Sequence, residues 1–243
     1  MAETSPPVHV FLPCRAGSQR VPGKNTRPFG DLPGGLTELK LRQLARSREI
    51  ASVTVSTDDA RVIEIAEGLR PLFDRPLNVI PRPEELAISD SLDRFVSYVP
   101  TIMPEGGLLW THVTSPFFGP EELDRAVTLY REHVLEGAFD SLMGVSRIQN
   151  FLWDENGCIS HDRAAVKWPQ TQDLKPIYEV NSSVFLIDRD EMARRQDRTG
   201  DTPYLMDVQK LAAYDVDWPD DFEIAERIYT AFFARKAEGR DPC

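Results

Sequence analysis

The chain has 243 residues, 28 Lys and Arg against 39 Asp and Glu, and a formal net charge of −11. That balance argues against general nucleic-acid binding, which needs a basic face, but leaves room for a small anion held by a local cluster of cations. No apolar run approaches the roughly 18 residues of a membrane span, residues 1–7 lack the basic and apolar regions of a signal peptide, and Cys14, Cys158 and Cys243 have no metal-ligand or disulfide-framework spacing. The expectation is a cytoplasmic chain with no membrane partner.

Residues 8–14 read as a continuous apolar strand, the pattern of a strand covered on both faces of a parallel sheet. After a basic loop, Leu36, Leu39, Leu41 and Leu44 anchor a helix over about 36–48. A strand at 52–57 ends at Asp58-Asp59, and a helix over about 59–68 carries Val62, Ile63, Ile65 and Ala66. A short strand at 77–80 runs into Pro81-Arg82-Pro83, and a helix covers about 90–102. A buried strand at 108–113 ends at Thr114-Ser115-Pro116, and an acidic start at Pro120-Glu121-Glu122 suits the dipole of a helix reaching about 135. Residues 140–146 form a further strand. This alternation predicts an α/β fold with a doubly wound, mostly parallel sheet. In such sheets ligands sit beyond the carboxyl ends of the strands, where Arg15, Asp58, Arg82 and Thr114 fall.

From about 147 to 205 the rhythm breaks. Strand-like pieces at 151–153, 158–160, 177–178 and 184–187 surround a polar loop at 168–173. The segment reads as a small inserted lobe or dimerisation arm within a single domain, 1–243. Residues 214–219 return to the sheet edge, and an amphipathic helix from about 220 to 236 turns Phe222, Ile224, Ala225, Ile228 and Phe232 inward.

The loop Arg15-Ala16-Gly17-Ser18-Gln19-Arg20-Val21-Pro22-Gly23-Lys24-Asn25 carries the clearest chemistry. Gly17 and Gly23 permit unusual backbone angles, Arg15, Arg20 and Lys24 supply positive charge, and Ser18 and Asn25 supply short polar groups. Backbone N–H groups and cations converging at a strand end suit a polyphosphate. The loop is not a Walker A motif: five residues precede Gly23-Lys24 after Gly17, and Asn25 stands where a Mg²⁺-binding Ser or Thr belongs. The bland alternative is a solvated basic turn. The stretch resembles the signature R-x-G-S-[KQ]-R-[IVL]-P-x-K-N of the acylneuraminate cytidylyltransferase family, whose members make CMP-activated acidic sugars such as sialic, legionaminic and pseudaminic acids and Kdo.

Asp215 and Asp217 are the second signal. Residues i and i+2 of an extended segment project to one side, and two adjacent carboxylates can share a hard divalent cation; an acidic cap on the last helix is the alternative. Asp220-Asp221 read as charge at that helix's N-terminus. Residues 215–226 resemble the family's D-[IV]-D-x-P-x-D-[FL]-x-x-A-E, in which the two aspartates are associated with the catalytic metal. Val55-Ser56-Thr57-Asp58 resembles V-S-T-D, Arg82 to Ala87 followed by Asp90 resembles R-P-x-E-L-A-x-D, and 108–116 resembles L-L-Q-P-T-S-P. Val180-Asn181-Ser182 falls where the family often has an N-G turn. The matches span about 8–226. Departures gather on the acceptor side: His112 for a common Gln, Phe118 for a common Arg, Ser182 for a common Gly, and Glu179 rather than Arg upstream of it.

The resemblance implies a Rossmann-like nucleotidyltransferase fold and transfer of CMP from CTP to the anomeric hydroxyl of an acidic 2-keto sugar, with pyrophosphate released. Arg15, Gly17, Ser18, Gln19, Arg20 and Lys24 would hold the triphosphate, and Arg82 and Asn25 the ribose and base. Asp215 and Asp217 would hold Mg²⁺, with Mn²⁺ as the alternative; Arg15, Lys24 and the two aspartates would be catalytic. His112 and Asn181 would face the acceptor, and a homodimer is implied. The rival readings are a cytidylyltransferase for another anion such as a phosphonate, a GT-A-like glycosyltransferase with its Asp-x-Asp, and a non-catalytic CTP-binding protein.

Overall fold

A computed structural model describes residues 5–87 and 92–234. Asp90, the expected start of the helix near it, Cys243 and the last residues of the closing helix lie outside the described residues.

In chain order the principal elements are β1 (Val8–Cys14), α1 (Gly35–Arg46), β2 (Ser52–Thr57), α2 (Ala60–Leu69), β3 (Leu77–Pro81), α3 (Glu84–Ala87), α4 (Leu92–Tyr98), β4 (Gly107–Thr111), α5 (Pro120–Tyr130), β5 (Ser141–Ile148), β6 (Trp153–Asp154), β7 (Gly157–Cys158), β8 (Ile177–Asp188), α6 (Arg189–Arg195), β9 (Pro203–Asp207) and α7 (Pro219–Tyr229). Seven strands form one sheet in the order β3-β2-β1-β4-β8-β5-β9. β1 pairs in parallel with β2 and β4, and β2 with β3. β8 alone runs the other way, antiparallel to β4 and β5, and β9 is parallel to β5. The sheet is doubly wound. On one face Leu36 and Leu44 of α1, Val62 of α2, Leu123 of α5 and Phe222 of α7 pack into one core. On the other, Phe95 of α4 and Met192 of α6 pack with Phe11, Trp110 and Phe185. Coverage on both sides is why every residue of β2 and β4 is buried.

The 147–205 segment divides. Residues 149–176 leave the sheet and carry the β6–β7 hairpin and a short 3-10 turn at Thr171–Asp173. The two strand-like pieces at 177–178 and 184–187 are parts of the single strand β8, a central member of the sheet. Their hydrophobic pattern is interrupted because Asn181-Ser182-Ser183 lies between them, with Ser182 at φ 58°. β9, at the sheet edge, went unread in the sequence. α7 faces the core with Phe222, Ala225 and Tyr229, spaced i, i+3 and i+7; Ile224 and Phe232, expected inward, are exposed.

Candidate active site

The parallel strands β3, β2, β1 and β4 lie side by side, so their carboxyl ends set Arg82, Asp58, Arg15 and His112 along one edge. The first loop is tied down there. Gly17 (φ 73°) and Gly23 (φ 63°) take left-handed backbone angles that other residues adopt at a cost. The Ala16 N–H donates to Asp58 Oδ1 at 2.7 Å, and Asn25 Nδ2 donates to the Arg15 carbonyl at 3.1 Å. Asn25 also accepts at its carbonyl from the Thr37 hydroxyl at 2.8 Å, so its first service is to staple the loop.

The loop walls a cavity of about 550 Å³ with Arg15, Arg20, Lys24, Arg82, Trp110 and His112 among its lining. Ser18, Gln19 and Asn25 line it too. Arg82 is buried, its guanidinium 4.1 Å from the Phe95 ring centroid, and among the described residues its Nε has no hydrogen-bond partner. Burial lowers its pKa, with Asp58 opposing. His112 Nε2 lies 3.1 Å from Trp110 Nε1. An indole N–H only donates, so Nε2 is the acceptor and the imidazole proton sits on Nδ1. Burial, together with the charges of Arg198, Lys40 and Lys24, pushes the His112 pKa down to about 3. The ring is therefore a neutral hydrogen-bond donor at the cavity wall.

The aspartate pair meets this loop from the other end of the chain. The Val216 N–H donates to the Thr114 carbonyl at 2.8 Å, and Lys24 Nζ donates to the Val216 carbonyl at 2.6 Å. Asp217 Oδ1 is 3.0 Å from the Arg20 guanidinium and 3.5 Å from Lys24 Nζ. Asp221 Oδ2 accepts from the N–H groups of Asp217 and Trp218 at 3.0 and 2.8 Å, which fixes the backbone of the pair. Asp221, three residues after the N-cap Trp218, thus reaches back to the N-cap backbone in a capping box, besides supplying acidic charge in the helix's first turn. Asp215 lines a second cavity of about 1100 Å³, with Arg147, Glu179, Asp207, Lys210 and Tyr214. Burial raises its pKa, and Asp217 adds to the rise; the Thr114 hydroxyl and Lys24 oppose it. Asp215 thus lines the larger cavity, while Asp217 meets Arg20 and Lys24 of the smaller one's lining.

Asp215 Oδ1 is buried with no hydrogen-bond partner among the described residues. Such an oxygen costs free energy unless a donor or cation meets it. Together with the charge of Asp217, this donor set fits a hard divalent cation, which takes oxygen ligands. Among the described residues no group of three His, Cys, Asp or Glu gathers to hold a metal, so phosphate oxygens and water would complete the shell.

The structure thus brings together every expected site residue except Asn181. The Asn181 amide donates to Ser146 Oγ at 3.2 Å and accepts from the Ser183 N–H at 3.2 Å, holding the irregular step in β8, and it lines neither cavity. Sequence reasoning missed Phe95 and Trp110, which line the smaller cavity. Trp110 falls in a strand that reads as buried, and both rings belong to the core beneath the site.

Residues 9–238 match the sequence pattern of a family described as cytidylyltransferase. The chain belongs to the cytidylyltransferase family. An N-acylneuraminate cytidylyltransferase of Streptococcus agalactiae serotype V is 23% identical over 235 residues, covering 95% of this chain and 55% of that protein. The chain therefore spans about half the length of its streptococcal relatives. A CMP-N,N'-diacetyllegionaminic acid synthase of Legionella pneumophila is 26% identical over 236 residues, covering 90% of this chain and 94% of that one. In fold, this cytidylyltransferase-family chain is similar to a CMP:2-keto-3-deoxy-manno-octonic acid synthetase solved with CTP (TM-score 0.65, 13% identity, 93% and 99% of the two chains). It is also similar to a 4-diphosphocytidyl-2C-methyl-D-erythritol synthase from Anaerococcus prevotii (TM-score 0.64, 10% identity, 92% and 98%).

Proposed function

We propose that this chain transfers CMP from CTP to the anomeric hydroxyl of an acidic 2-keto sugar and releases pyrophosphate. The observation that supports the reading is the junction of Lys24 with Val216 and Asp217, which joins the basic first loop to the carboxylate pair. The hydroxyl attacks the α-phosphorus in line with the departing pyrophosphate, and both ends of the displacement carry negative charge. Arg15, Arg20 and Lys24, with Ser18 and Gln19, hold the triphosphate on a loop shaped by Gly17 and Gly23. Arg82 and Asn25 border the ribose and base. Asp215 and Asp217 would hold Mg²⁺, whose charge when bound offsets what builds on the phosphoryl oxygens. His112 presents Nδ1–H toward the acceptor.

The reading extends to a cytoplasmic homodimer through the arm at 149–176, where Trp153, Ile159 and Trp168 are exposed. Among the described residues no helix is long and apolar enough to cross a membrane. Glu179 in the larger cavity, where the resemblance leads one to expect Arg, is the observation that favours a second reading: the same transfer to a different anion such as a phosphonate.

The test is pyrophosphate release from CTP and Mg²⁺ with sialic, legionaminic and pseudaminic acids, Kdo and several phosphonates. Release with a keto-sugar acid supports the first reading, and release with a phosphonate alone moves the function to the second. CTP binding without release on any acceptor overturns both.

A further inference from the structure

We infer that Arg198 receives the carboxylate of the acceptor and so selects acids over uncharged sugars. The inference rests on the acceptor being an acid, as proposed above. α6 begins at the sheet edge opposite the site, just after the Gly107–Asp188 pair, and packs Met192 onto the face that holds Phe11, Trp110 and Phe185. It ends at Gln196, which takes a left-handed conformation and donates its N–H to the Met192 carbonyl at 2.8 Å. Two residues on, Arg198 lies over the rings of Phe185 and Trp110, its guanidinium 4.1 and 5.2 Å from their centroids. Trp110 lines the smaller cavity and holds His112 in its tautomer. Arg198 thus packs against a residue that lines the cavity, and its charge is among those that act on His112.

The loop that presents it is over-determined. Asp140 Oδ2 accepts from the N–H groups of Asp201 and Thr202 at 2.7 and 3.1 Å and pairs with Arg195 at 3.5 Å. Ser141 Oγ accepts from the Gly200 N–H at 2.9 Å, and a Cβ on Gly200 would fall 2.1 Å from Asp140 Oδ1. Arg195 also pairs with Asp201 at 2.7 Å. Arg198 itself is different: among the described residues no carboxylate or other acceptor bonds its guanidinium. Its desolvation, which lowers its pKa, is opposed by the charge of its neighbour Asp197. The two rings offset part of that cost, but a partly buried guanidinium otherwise calls for an anion.

Which anion follows from the supply of cations. Arg15, Arg20 and Lys24 already approach from the first loop, and Arg82 closes the far side. Ribose and base carry no charge. Arg198 comes from a different direction, from the loop after α6 over Trp110 and Phe185, rather than from the first loop. The remaining negative group is the acceptor's carboxylate, which a planar guanidinium can grip through two parallel hydrogen bonds.

The experiment uses an acid on which the wild-type chain releases pyrophosphate, and its carboxyl methyl ester. Arg198→Met is expected to raise KM for the acid about 100-fold, to leave KM for CTP within about twofold, and to bring the preference for acid over ester close to one. Arg198→Lys, which keeps the charge, should recover part of that preference. A rise in KM for CTP instead would give the guanidinium to the nucleotide and overturn the inference. Equal losses on acid and ester, with a lower unfolding temperature, would make Arg198 only a clamp on the two rings and overturn it too. Wild-type turnover on uncharged acceptors but on no acid would remove the acid-acceptor reading itself, before any variant is compared.

Discussion

Lys24 Nζ reaches the Val216 carbonyl at 2.6 Å, across 192 residues of sequence, and rests 3.5 Å from the Asp217 carboxylate. The lysine side chain is mostly covered while the aspartate is half exposed. One cation therefore belongs both to the first loop and to the segment that carries the aspartate pair, and neither can move alone.

Groups that act as a unit are not additive when removed. Lys24→Met and Asp217→Asn should each lower kcat/KM by at least about 100-fold. The double variant should lose far less than the product of the two. Single-turnover rates with CTP and the active acceptor measure this. A double variant at the full product would mean that the two side chains act independently.

His112 should not titrate in the working range. Its pKa is held down to about 3 by burial and by the cations around it, so the ring stays neutral from pH 5 to 8. Nitrogen NMR of the imidazole should show a protonated Nδ1 and a bare Nε2 throughout that range. Trp110→Phe removes the indole donor and should free the ring to exchange tautomers. A wild-type His112 that gains a proton near pH 6.5 would contradict the account.

Lys40 gives a signed stability prediction. It is fully buried on α1, with Nζ donating to the carbonyls of Ser115 and Phe118 at 2.9 and 2.7 Å. Burial lowers its pKa from 10.5 to about 7. Below about pH 7 the amine is charged in both folded and unfolded chains, and the fold bears the whole cost of burying it. Between about 7 and 10.5 the unfolded chain keeps a proton that the folded one has released, so stability rises with pH. From pH 7 to 9 the wild type should gain about 2 kcal/mol relative to Lys40→Met, or roughly 4–8 °C in Tm. Thermal melts of both proteins across that range decide it, and a difference that stays flat refutes it.

Cys158 and Cys14 should differ sharply toward alkylating reagents. Cys158 Sγ lies 3.4 Å from Ser160 Oγ and 3.3 Å from His161 Nδ1; the Ser160 hydroxyl first, then the backbone of His161 and Ser160 and the charge of Arg163, lower the thiol's pKa against its partial desolvation. Cys14 is buried at the end of β1, with its pKa raised to about 12. Iodoacetamide at pH 7, read by peptide mass spectrometry, should modify Cys158 at least about 10-fold faster than Cys14. Comparable rates would count against the Ser160–His161 contacts.

Much of this was legible in the chain itself. Continuous apolar strands alternating with amphipathic helices are a local record of burial, because a strand covered on both faces has no polar side to show. The first loop and the Asp-x-Asp were legible for a related reason: their chemistry needs particular residue types at close spacing. Tertiary structure decided what depends on partners far away in sequence. β8 was read as two fragments, since Asn181 and Ser183 face Ser146 and Gly144 of β5, neighbours that no local pattern reveals. Asn181 was expected at the substrate, but its amide is spent on the sheet. Nothing in the local sequence singles out Arg198, which α6 carries back over Trp110 and Phe185. Short-range pattern determines which segments must be buried, whereas the pairing of one polar group with another is settled only when the chain closes, because a charge's cost depends on what surrounds it in space.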